Sequence, residues 1–263
     1  YAFSRIINNF PFEGSYEDFE TFKRNLDGFS DYVLDQIKKN LGYLKFEGAS
    51  FIEVKDQEGA LFTTGEQNTG NNVLDPKNSQ FSFDFWLYIP DTSTTNNQII
   101  FQKKSSTHNG FTCFLEDQQL TTVDVSLMIS NLDSSSNQTY HNFIKTGTSI
   151  EKNKFNHLCF NVKHKLGKRE IDVYLNGEKK ETYLSGSGLD ITNIDFRNDS
   201  LFIGSGSDHK IDTGATYSNN LNNSLMLTGA LDDFRFFHSV RKKDDIKKDL
   251  STNIFKNEDL KLY

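Results

Sequence analysis

Cysteine is scarce in this chain, a basic stripe is missing, and no apolar run approaches the length of a membrane span. Two cysteines in 263 residues, Cys113 and Cys159, sit in separate strand-like segments. A pair this sparse in a domain this large reads as two buried thiols rather than a disulfide framework. The roughly 20 apolar residues that carry a helix across a bilayer are not found, nor is a signal-peptide pattern at the start, so membrane insertion is not expected. The formal charge is −7, whereas phosphate backbones call for concentrated positive charge. The densest basic run, RKKDDIKK from Arg241 to Lys248, is broken by Asp244 and Asp245 and reads as a solvated helix face. Nucleic acid is therefore not an expected partner.

Familiar catalytic signatures are also missing. There is no G-x-S-x-G elbow, no H-E-x-x-H pair and no P-loop, and the GSGS run from Gly204 to Ser207 lacks the spacing of a phosphate cradle. The six histidines, His108, His141, His157, His164, His209 and His238, are scattered without ligand spacing, so a transition-metal site is not expected.

What the chain does hold is aromatic burial potential. Its 24 Phe and 13% aromatic content set it apart from disordered chains, which are poor in the residues that drive burial. Two regions are expected. Residues 1–42 read as a helical leader: Ser15 with Asp18 resembles a capping box, Phe19, Phe22 and Leu26 follow at helical spacing, and Ser30 can cap a second helix carrying Val33, Leu34 and Ile37. Such a leader packs on the main domain or docks it onto a neighbour.

From residue 43 to 263 the pattern is short strands separated by Gly, Asn, Ser and Thr clusters: YLKFEG, SFIEV, FSFDFWLYI, QIIFQK, GFTCFLE, DVSLMIS, KFNHLCFNV, EIDVYLNG, SLFIGSG and TGALDDFRFF. With only a terminal helix from about Asp244 to Leu250, these predict an all-β antiparallel sandwich, a jelly roll at this size. Asn176-Gly177 between two strands predicts a type I′ hairpin. In TGALDDFRFF, period two puts Ala230, Asp232, Phe234 and Phe236 on one inward face, leaving Asp233 outward with Arg235 as a surface pair. Asp232 is then a buried carboxylate that needs a cation, an arginine or backbone N–H groups.

The order of these motifs, including Trp86 in FSFDFWLY, His157 in KFNHLCFNV and the closing VRKKDDIKKDL, resembles a laminin-G-like, concanavalin A-like jelly roll from about Tyr43 to Tyr263. The leader running into GYLKFEGASFIEVKDQEG resembles LamG-bearing structural proteins of tailed bacteriophages, which implies a virion or extracellular surface with other structural proteins as partners. The resemblance also implies a structural Ca²⁺ at Asp232 against backbone carbonyls of the opening strand, and oxygen ligands suit that ion. Glycoside hydrolases of this fold carry E-x-D-x-E or E-x-D-x-x-E on one strand. Here Glu170 and Asp172 are followed by Tyr174 and Leu175, so one of two required carboxylates is absent, and the pair reads as the wet face of a hairpin.

Ligand contacts are expected from long polar loops. Ser205 to Asn223 carries Asp208, His209, Asp212 and Tyr217, while Asp91 to Asn97 and Ser105 to Asn109 line the same or an opposite rim. Polar groups beside a Tyr suit sugar hydroxyls and CH faces. The expected function is a non-enzymatic structural and adhesion module. A calcium-dependent lectin is the alternative, with a glycoside hydrolase third.

Overall fold

Alternation of large apolar and polar side chains shapes the architecture. The computed structural model describes residues 43–54, 74, 76, 80–132, 140–165, 168–185, 199–213, 217–221, 225–250 and 259–262; the expected leader lies outside them. A first sheet has the order β1 (Leu44–Glu47), β16 (Thr228–Phe237), β3 (Phe81–Tyr88), β9 (Phe155–Lys165), β10 (Lys168–Leu175) and β11 (Glu178–Leu184), with β17 (Leu260–Leu262) also on β16. A second has β2 (Ile52–Val54), β12 (Leu201–Ile203), β4 (Gln98–Lys104), β5 (Gly110–Glu116), β6 (Thr122–Leu132) and β7 (His141–Lys145), with β15 (Leu225–Met226) beside β4 and β8 (Thr148–Glu151) beside β6. Among the described strands only β15 with β4 is parallel. The sandwich is the one the sequence predicts.

The core lies between the sheets because their facing residues are the aromatic ones. Phe81, Phe83, Phe85 and Leu87 point inward from β3 and meet Phe101 and Phe111 of the second sheet. Gly204, at φ +82°, lets β12 turn against this layer: a Cβ there would lie 2.3 Å from the Phe46 ring. Asn176 and Gly177, at φ +52° and +77°, form the predicted type I′ turn between β10 and β11. Cys113 and Cys159 are free and buried, and burial pushes both thiols well above their ordinary range.

The middle of the outer face of the first sheet is covered rather than wet. Helix α1 (Lys243–Lys248) lays Ile246 on Cys159 and Tyr174, and Lys243 and Lys247 reach Glu178 beyond the β10–β11 turn at 2.7 and 2.5 Å. The run read as a solvated face is therefore only partly so, since Arg241 is 6% exposed with its guanidinium 4.4 Å from the Phe237 ring centroid. Beneath it, fully buried Asp84 accepts a hydrogen bond from His157 Nε2 at 2.5 Å, with Arg235 and Arg241 nitrogens each 3.8 Å from its oxygens.

Strand parity fails in β16. The register slips between Asp232 and Arg235, and Asp233 has φ +51°, so a bulge inserts an extra residue. Leu231, Phe234 and Phe236 face the core, which puts Asp232 on the opposite face from Phe234, paired with Trp86 and half-buried. Asp233 does meet Arg235, at 3.2 Å, but Arg235 is fully buried and the pair is not a surface one.

Candidate functional site

At one end of the sandwich the loops 89–97, 117–121 and 152–154 converge, each following or preceding a core strand. Their backbones are tied together: Asn97 N–H donates to Leu115 O, Lys152 N–H to Thr121 O and Asn153 N–H to Ile89 O, at 2.7 to 2.8 Å. Side chains complete the tie. Lys152, 7% exposed, donates to Ser93 O at 2.7 Å and Gln119 O at 2.6 Å, so one ammonium holds all three loops. Burial lowers its pKa, partly offset by the Asp91 carboxylate. Gln118 Nε2 donates to Thr95 O at 2.7 Å, and Gln98 donates to Ser93 Oγ at 2.9 Å. Asn153, in the left-handed region at φ +61°, turns its Oδ1 to the Asp91 N–H at 3.0 Å.

These loops leave an open cleft of about 570 Å³ lined by Asp91, Leu120, Thr121, Glu151, Lys152 and Asn153, within the usual size of ligand sites. Leu120 is 82% exposed beside these polar groups, a mixture that matches the CH faces and hydroxyls of a sugar ring. Of these loops the sequence points only to Asp91 to Asn97. Leu120 and Glu151 to Asn153 are missed, although a Leu set in EDQQLTT and an Asn in the charged turn EKNKF are signals that could have found them.

The Ser105 to Asn109 loop lies at the opposite end, and there the structure places the other predicted residues. Hairpin β13 (His209–Asp212) with β14 (Tyr217–Leu221) lies on the second sheet, Ile211 and Leu221 packing on Ile99, Phe114 and Met128. Asp208 is half-buried, 3.6 Å from Lys210. The Asp212 N–H donates to His141 Nδ1 at 3.2 Å, and the backbone of Tyr217 pairs with Asp212.

His209 is no rim residue, because the hairpin folds it inward and leaves it fully buried. Its Nδ1 lies 2.9 Å from Thr112 Oγ1, which already accepts from Gln102 Nε2 at 2.8 Å, so the Thr112 hydroxyl donates to the ring. Its Nε2 faces His108 O at 3.0 Å and Ser130 Oγ at 2.7 Å, and must carry the proton. Burial, with Lys104 and the neighbouring His108 and His141 adding repulsion, pushes its pKa down to about 3, against the help of the His108 carbonyl. Lys210, Asp208 and Asp212 are the other charges at this hairpin.

The folded ring thus stays neutral while the unfolded one protonates below about 6.5. Stability is flat above neutrality and falls as pH drops from about 6.5 toward 3, by about 2 kcal/mol at about pH 5 from this group. Urea denaturation at neutral and mildly acid pH is expected to show that slope, and His209→Gln to remove most of it.

The calcium position that the resemblance implies is at Asp232. Asp232 Oδ1 accepts the Asp233 N–H at 2.9 Å, and Asp233 engages Arg235; a calcium here would draw on the Asp232 carboxylate and on backbone carbonyls. Among the described residues no three His, Cys, Asp or Glu side chains converge as a metal set. The Glu170 and Asp172 pair is not a wet face either. Asp172 is 1% exposed, held by Lys163, by Lys179 at 2.6 Å and by Thr182 at 2.7 Å. Burial raises its pKa, yet these hydrogen bonds prevail and keep it below the usual range. No described helix is long and apolar enough to cross a membrane.

The family model Laminin_G_3, described as the concanavalin A-like lectin/glucanases superfamily, matches residues 62–247. No curated protein sequence matches significantly. Among solved structures, the CBM40 of Ruminococcus gnavus IT-sialidase is 10% identical, with 78% of this chain covering 95% of that one at a TM-score of 0.46. A heptameric SAP-like pentraxin from Limulus polyphemus is 16% identical, with coverages of 64% and 68% and a TM-score of 0.40. A putative carbohydrate binding protein from Bacteroides ovatus is 16% identical; 71% of this chain spans 45% of its length, at a TM-score of 0.43. At such identities nothing about ligands passes to this chain.

Proposed function

The chain belongs to the concanavalin A-like lectin/glucanases superfamily, and from that premise we propose that it is a non-enzymatic adhesion module that binds carbohydrate in the cleft between the loops 89–97, 117–121 and 152–154. The observation that carries this reading is the exposed Leu120 set among Asp91, Thr121, Glu151 and Asn153 on loops that Lys152 holds rigid. Loops ordered before binding lose little freedom when a ligand arrives.

The test is a glycan array with purified protein. Specific signals are expected, and Leu120→Asp, at an exposed position that folding does not use, should weaken them about tenfold or more by placing charge where a CH face would rest. A blank array with folded protein, or signals indifferent to Leu120→Asp and Asn153→Ala, would overturn the cleft. Repeating the array in EDTA examines the structural Ca²⁺ proposed at Asp232: weaker signals restored by Ca²⁺ support it, and unchanged signals and melting temperature remove it.

The non-enzymatic part rests on Asp172 being fully engaged by Lys163, Lys179 and Thr182 and on the missing second glutamate of that strand. Release of reducing sugar from a β-glucan panel would refute it. A virion or cell-surface setting among other structural proteins is proposed from the resemblance of the leader and GYLKFEGASFIEVKDQEG alone. Co-purification with particles is its test.

A further inference from the structure

The charges around the cleft point to which sugars it admits. Two carboxylates, Asp91 and Glu151, line it, and both residues are exposed. Among the described residues, the ammonium in the lining belongs to Lys152, which is buried and turned away onto the carbonyls of Ser93 and Gln119. The Lys154 ammonium is ion-paired with Glu151 at 2.8 Å. Ionised carboxylates are acceptor-only groups. They take hydrogen bonds from sugar hydroxyls, whereas a ligand carboxylate or sulfate would meet them where, among the described residues, Lys152 is already engaged by two carbonyls and Lys154 by Glu151.

Resting on the carbohydrate reading of this cleft, we infer that the site selects uncharged or amine-bearing glycans and rejects sialylated, uronic and sulfated ones. Asp91 and Glu151 are its specificity-determining residues. They do so by penalising the wrong ligand as well as by accepting from the right one. The net charge of −7 adds a long-range repulsion in the same direction, screened by salt within about 10 Å at about 0.1 M.

The experiment uses matched pairs of immobilised glycans, each neutral structure beside its sialylated or sulfated form, probed with the full chain. Neutral members are expected to bind about tenfold or more tightly than their anionic partners, a gap that narrows as salt rises. In the double variant Asp91→Asn with Glu151→Gln the ratio of neutral to anionic binding should collapse toward unity. A merely structural role for these side chains would lower both signals together and leave the ratio intact, which counts against the inference. Wild-type protein that binds anionic members equally or better, through a site weakened by Leu120→Asp, overturns the selectivity and leaves carbohydrate binding standing. Folded protein that binds neither member overturns both.

Discussion

Asp84→Ala is expected to cost about 3–5 kcal/mol of folding stability, the range for removing one partner from a buried charge cluster. Asp84 is fully buried in the middle of β3. Its loss takes the acceptor from His157 Nε2 and leaves Arg235 and Arg241, at 0% and 5% side-chain exposure, without the carboxylate between them. Asp249 on Arg241 and Asp233 on Arg235 still compensate in part, so the effect should fall short of abolishing the fold. Asp84→Asn keeps the volume and an acceptor for His157 but loses the charge, and should lie between wild type and alanine. Urea denaturation should show a lower midpoint at an unchanged slope. A loss under about 1 kcal/mol would mean the two arginines are satisfied without Asp84.

Phe83→Ala should cost a similar amount by a different mechanism. The ring is 1% exposed and lies 4.8 Å from Phe101 and from Phe111 across the sandwich and 5.1 Å from Phe236 on the neighbouring strand. Truncation forfeits its transfer free energy and leaves a cavity between two sheets that hydrogen bonding keeps from collapsing, about 3–5 kcal/mol together. Each aromatic contact adds about 0.5–1.5 kcal/mol beyond buried area. Phe83→Leu should recover more than half of the loss, because most of the volume returns. If the alanine variant loses less than about 2 kcal/mol in urea denaturation, the core closes over the gap.

The contrast between these two residues shows what was legible in the sequence. Phe81, Phe83 and Phe85 alternate with Ser82 and Asp84, and period two alone assigns them to the core. The same rule assigns Asp84 to water. It fails there because α1, far along the chain, covers that face, and no local pattern announces such a lid. The bulge at Asp232 and Asp233 is hidden for a related reason. One extra residue reverses every later parity, and its only local mark is an Asp able to adopt positive φ.

His209 reads as a loop residue because it lies in the long polar stretch from Ser205 to Asn223. Its burial depends on Thr112 and Ser130, two strands of the second sheet that only the folded hairpin brings near. The cleft was half visible for a simple reason. Asp91 to Asn97 stands out as a polar stretch, whereas Leu120 and Asn153 join it through tertiary contacts.

Lys152 sets a rule for how this rim can change. Because its ammonium is shared by carbonyls from two loops while its own backbone anchors the third, the three loops are one inheritable unit rather than three independent segments. An insertion in any of them that withdraws Ser93 O or Gln119 O strands a buried cation. Variants that retarget the cleft should therefore arise by exchanging outward side chains on fixed backbones, at positions such as Asp91, Leu120 and Glu151. Loop grafts taken singly from another jelly roll should fail unless they bring a carbonyl to the same place.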